Sequence, residues 1–144
     1  MEALENLVKI KKLNKEPPSK LEFEGMVGAA KIKLNDANLQ GLSPDSQFTL
    51  AYGASNALAL AALRWHGYRS DSRYIVFQCL QHTLNLERSK WRVLDKCHNV
   101  RNLAEYEGHL DVDKQLLKEL IEITKELLAK IDGLPPVPVS GISP

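Results

Sequence analysis

Between residues 45 and 66 small and apolar side chains crowd every side of the chain. Ala51, Gly53, Ala54, Ser55, Ala57, Ala59, Ala61 and Ala62 surround Tyr52, Leu58, Leu60 and Leu63. Alanine and leucine favour helix, and a helix that is apolar nearly all round must be buried on more than one side. This segment therefore predicts a central helix that other helices must cover. Its limits are marked: Ser43-Pro44 offers a cap followed by proline at the first helical position, and Gly67 closes it.

The rest of the sequence supplies that cover. Residues 1–13 carry Leu4, Leu7, Val8 and Ile10 on one stripe and stop at Asn14-Lys-Glu-Pro17-Pro18, because paired prolines remove donors. Ser19 with Glu22 reads as a capping box, and Phe23, Met26, Val27, Ala30, Leu34 and Ala37 follow at helical spacing until about Gly41. A shorter helix is predicted over 72–84, with Ile75, Val76, Cys79 and Leu80 inward. Another is predicted over 87–107, with Val93, Leu94, Cys97, Val100 and Ala104 inward and Gly108 at its end. The last, over 112–132, takes Asp111 as cap and buries Leu116, Leu120, Ile123, Leu127 and Ile131 before Gly133. No stretch alternates with period two. The expected fold is all-α: an antiparallel up-and-down four-helix bundle with one or two additional short helices. The expected organisation is an N-terminal helix and proline-containing linker over 1–18, the bundle over 19–133, and a proline-rich tail over 134–144.

Charge narrows the function. Lys and Arg total 19 and Asp and Glu 18, whereas a protein that holds nucleic acid mainly by electrostatics carries a basic excess. Two cysteines do not make a disulfide framework. The N-terminus lacks a signal-peptide plan, and the longest nearly apolar run, 57–63, is far short of the ~18 residues of a spanning helix. The expected setting is the cytoplasm, with no membrane contact.

The stretch richest in chemistry is Cys97-His98-Asn99-Val100-Arg101-Asn102-Leu103-Ala104-Glu105-Tyr106-Glu107-Gly108. At about 100° per residue His98, Arg101, Asn102 and Glu105 share a polar stripe, with Arg101 at the margin of the core face. An arginine there can lay its stem on apolar surface and aim its fork into a groove. As a surface pair, Arg101 and Glu105 run in the weaker direction, and Glu105 and Glu107 oppose the helix dipole.

Arg101-Asn102-Leu103-Ala104-Glu105-Tyr106-Glu107-Gly108, placed after an alanine-rich helix and before an amphipathic Leu/Ile helix, resembles the HEPN superfamily. The stretch from Tyr52 and Asn56 through Arg64-Trp-His-Gly67 adds to the likeness, which spans residues 43–132. The resemblance implies a four-helix bundle, often a homodimer. It also implies a place among the RNases of toxin–antitoxin, defence and RNA-processing systems, their nucleotidyltransferase-binding partners, or nucleotide-binding modules. Catalytic members place a His four to six residues after the Arg; here 106–108 are Tyr, Glu and Gly, and the next His is His109. The resemblance therefore implies a nucleotide-, RNA- or partner-binding module, its groove lined by Arg101, Asn102 and Glu105, with Tyr106, Tyr52 and Asn56. Two alternatives remain. One is a metal-independent ribonuclease whose displaced acid/base is His98 or His109; the other is a purely structural homo-oligomer joined through the alanine-rich helix at Ala57 and Ala61.

Other chemistry finds less support. Cys79 and His82 share a helix face, but adjacent Cys97 and His98 diverge by about 100° and do not suit one zinc ion. Two small thiols in a helical core are the simpler account. Lys9-Ile-Lys11-Lys12 and Lys31-Ile-Lys33 read as solvated faces. Phosphate loops, nucleophile elbows and dinucleotide fingerprints are absent from the sequence, and no cofactor is expected.

Overall fold

Ser43 caps the alanine-rich segment through its side-chain oxygen, which accepts from the Ser46 amide, and Pro44 occupies the first turn. In the computed structural model, which describes residues 2–70 and 72–138 apart from the side chains of 73 and 74, this helix runs Pro44–Trp65 and is α3 in chain order. Before it come α1 (Glu2–Lys9), β1 (Asn14–Lys15) and α2 (Lys20–Ala37). After it come β2 (Tyr68–Arg69), α4 (Arg73–Val76), α5 (Leu80–Thr83), α6 (Arg88–Glu107) and α7 (Lys114–Asp132). The chain is mostly helical, and α3 is central: α2 and α7 pack on it most extensively, with α5 and α6 on its remaining sides.

Burial follows the sequence pattern closely along α2, α3 and α7, while on α6 Leu94 and Cys97 are buried and Val93, Val100 and Ala104 only half-buried. Ala51, Ala54, Leu58, Ala59, Ala61, Ala62 and Leu63 of α3 are all buried. Val27, Ala30, Leu34 and Ala37 of α2 meet them from one side; Leu116, Leu120, Ile123, Leu127 and Ile131 of α7 meet them from another. Full burial of one such leucine contributes about 1.5–3 kcal/mol. Ala61 lies inside its own chain, fully buried, while Ala57 is half-buried.

Five local expectations are corrected. Residues 72–84 form two short helices, α4 and α5, because Ile75, Val76, Phe77, Cys79 and Leu80 are all buried. That set is wider than one helical stripe, so the backbone loosens between 77 and 79 to bring Phe77 inward. Asn14–Lys15 pairs antiparallel with Tyr68–Arg69, a two-residue ladder too short to leave an alternating pattern. The α7 cap is Asp113, whose side chain accepts from the Gln115 amide, rather than Asp111. Ile10 lies beyond the end of α1 and is 62% exposed. Ser19 caps α2 by accepting from the Glu22 amide, but the Glu22 carboxylate does not close a capping box.

That carboxylate is held instead by two arginines. Arg64, buried near the end of α3, donates Nε to Glu22 (3.2 Å) and its Nη atoms to the carbonyls of Glu16 (3.0 Å) and Pro17 (2.7 Å). Arg69 bridges Glu16 and Glu22, with Nη2 2.7 Å from Glu22 Oε2. A small second core of Leu4, Leu13, Leu63, Tyr68, Ile75 and Cys79 lies beneath this clamp. Residues 2–18 are thereby fastened to the end of the central helix. At the other terminus Trp65 Nε1 donates to the Pro135 carbonyl (3.0 Å), which lays the start of the tail on the same end of α3; residues 139–144 lie outside the described residues.

A cleft roofed by Arg101

On α6 the residues His98, Arg101 and Asn102 fall within one helical turn, so they face the same neighbour. That neighbour is Tyr52 of α3. Tyr52 is buried (3% exposed) among aromatic rings: Phe48 lies parallel at 6.4 Å between centroids, and Phe77 meets it edge-on at 6.0 Å. The Arg101 guanidinium carbon stands over the Tyr52 ring, 5.3 Å from its centroid. Such a cation–π contact contributes about 0.5–2 kcal/mol according to its desolvation. On its outer side Arg101 Nη1 lies 3.6 Å from Glu105 Oε1, a pair whose carboxylate is mostly exposed. That pair adds little.

His98 departs from the polar stripe expected for it. It is buried, 5% exposed, because α3 presents a phenol to its ring. Nδ1 lies 2.7 Å from the Tyr52 hydroxyl oxygen and Nε2 lies 3.1 Å from Asn102 Nδ2. Each ring nitrogen thus has a polar partner, and the proton sits on the nitrogen opposite whichever one accepts.

Tyr52, Asn56 and Arg101 line one open cleft of about 710 Å³ between α2 and α3. Its walls are apolar (Leu21, Met26, Leu50, Ala57, Leu60), and Lys33 and Arg101 bring positive charge to it. The Lys33 stem lies over Gly53, where a Cβ would meet Cδ at an ordinary contact distance of 3.4 Å. Glu22 also lines the cleft, but its carboxylate is engaged by Arg64 and Arg69 and held below the usual range by Arg69 first. The cleft can therefore take an anion with an apolar or planar body.

Of the six sequence candidates, Tyr52, Asn56 and Arg101 meet in this cleft; Asn102 lies outside its lining and bonds His98, which in turn bonds Tyr52. Glu105 reaches it only by pairing with Arg101. Tyr106 is 93% exposed and is not part of the lining. Lys33, Met26 and Leu50 were not legible as site residues. Lys33 sits in a short basic run, and its apposition to Gly53 depends on how α2 meets α3.

The cysteines play no part in this site. Burial pushes the Cys79 thiol up to about 11 and the Cys97 thiol up to about 12, so both stay protonated and unreactive. Among the described residues no group of three or more His, Cys, Asp or Glu is placed to hold a metal ion, and no helix is long and apolar enough to cross a membrane. The chain matches no protein-family model, no curated protein and no solved structure.

Proposed function

We propose that this chain is a HEPN-like module that binds a nucleotide or the accessible end of an RNA in the Arg101 cleft, without cleaving it. In this reading α2, α3, α6 and α7 form the antiparallel bundle, and the protein acts as a homodimer, alone or docked to a nucleotidyltransferase-type partner. The observation that carries the reading is Arg101: a half-buried guanidinium stacked on Tyr52 at the edge of an apolar cleft that also holds Lys33. An arginine fork so placed suits phosphate oxygens bidentately, while the apolar walls suit a base or ribose face. Binding without cleavage is favoured because His98 is buried between Tyr52 and Asn102, and His109 lies outside the cleft with Nδ1 against the Glu107 carbonyl.

The test is titration of the purified protein with AMP and with a short fluorescent RNA at low salt, EDTA present. Wild type binds at least one probe, and added salt weakens binding. Arg101→Ala weakens it by about tenfold or more, the value of a charge-assisted phosphate contact, and Arg101→Lys falls between. Equal binding by wild type and Arg101→Ala sinks the cleft assignment. RNA cleavage by wild type, abolished in Arg101→Ala, replaces it with the ribonuclease reading.

A further inference from the structure

The binding reading leaves open why a core built of alanine and leucine keeps a buried phenol and a buried imidazole in contact. Phenylalanine and leucine would fill the same space without polar groups to satisfy. Both nitrogens of His98 are engaged, one by α3 through Tyr52 and one by its own helix through Asn102. An imidazole bonded at both nitrogens has a fixed orientation. Its ring lies beyond the phenol hydroxyl and only 26° from the Tyr52 plane, 6.2 Å between centroids, as the hydrogen bond requires. Tyr52 is thus held on three sides, by Phe48, Phe77 and His98, and Arg101 rests on the platform that results.

Resting on the proposed binding role of the cleft, we infer that His98 is a positioning residue: bridging Tyr52 and Asn102, it fixes the ring that aims the Arg101 guanidinium into the cleft. Helix geometry supports the assignment. Asn102 lies one turn beyond His98 and Arg101 lies beside it, so α6 carries the guanidinium, the bridge and its anchor on one side. Without the bridge the phenol loses its partner across the helix interface, and α6 loses a polar tie to α3 beside the residue that binds. Asn102 is then the anchor of the bridge and need not touch the ligand.

The experiment follows the Arg101 Nε–H resonance by NMR, together with affinity for the same RNA probe, in wild type, His98→Leu, His98→Asn and Asn102→Ala. In wild type the resonance is shifted by the Tyr52 ring current and exchanges slowly with water. His98→Leu and Asn102→Ala move it toward the values of an exposed arginine and weaken RNA binding about tenfold, within the range of a lost cation–π contact. His98→Asn, whose amide can stand in for Nδ1 against Tyr52, recovers part of both. Asn102 is only half-buried, so its variant keeps the test alive if His98→Leu does not fold. A merely structural histidine would lower Tm and leave both readouts unmoved; an Arg101 resonance unchanged in His98→Leu or in Asn102→Ala overturns the inference. If wild type binds no probe while the resonance still depends on His98, the positioning role stands and the binding reading falls.

Discussion

Glu16 and Glu22 combine exposure with strong pairing, and their titration carries a prediction at the residue scale. Both carboxyls are held below the ordinary 4.5, first by hydrogen bonds from Arg69 and further by Arg64, whose charge acts on both and whose Nε–H also bonds Glu22. A carboxylate whose folded value is lowered adds stability in full above its unfolded value, and that stability is lost as pH falls through the folded value. The stability difference between wild type and Glu16→Gln/Glu22→Gln should therefore be constant from about pH 7 to pH 5 and shrink below about pH 4.5. Urea unfolding across that range reads it. Both groups are more than a third exposed, so added salt should also shrink the difference. A difference that grows toward acid would show that the pairing is not what the arginines contribute.

Among the elements, glycines separate helix interior from helix end. Gly28 sits inside α2 with open space where a Cβ would stand, and its φ is ordinary. Gly28→Ala should stabilise by about 0.5–1 kcal/mol through helix propensity and a less mobile unfolded chain. Gly108, at the end of α6, has φ of 77° in the left-handed region and its amide donates to the Ala104 carbonyl. Nothing lies within 4 Å of its missing Cβ either, yet Gly108→Ala should cost about 1 kcal/mol in strain. Thermal unfolding of the two variants should move in opposite directions. Equal shifts would mean that space, and not backbone conformation, governs these positions.

For the whole molecule the decisive residue is Arg64. It is nearly fully buried and ties the carbonyls of Glu16 and Pro17 to the end of the central helix. Arg64→Met keeps length and apolar stem but leaves those carbonyls without their charged donor. The expected cost is about 2–4 kcal/mol, or roughly 5–12 °C in Tm for a chain of this size. Hydrogen exchange should localise the effect: amides of α1 should open more readily, while those in the middle of α3 change less. Uniform loss of protection would instead make the N-terminal segment an inseparable part of the core.

The long helices were determined by the sequence itself. Periodic burial of Val27, Ala30 and Leu34, or of Leu116, Leu120 and Leu127, is a local consequence of which side chains repel water at helical spacing. The limits set by Ser19, Ser43-Pro44 and Gly108 are equally local, because caps act within one turn. Arg101 at the margin of its helix was legible for the same reason. Which groups meet across helices was not. Glu22 had a local partner in its own first turn, and Arg64 and Arg69, more than forty residues away, drew it off. His98 belonged to a polar stripe by periodicity and became buried because Tyr52, 46 residues earlier, brought a hydroxyl to its ring. Spacing along one helix fixes direction only relative to that helix. The partner that turns a stripe into a site is supplied by packing, and only the tertiary structure decides it.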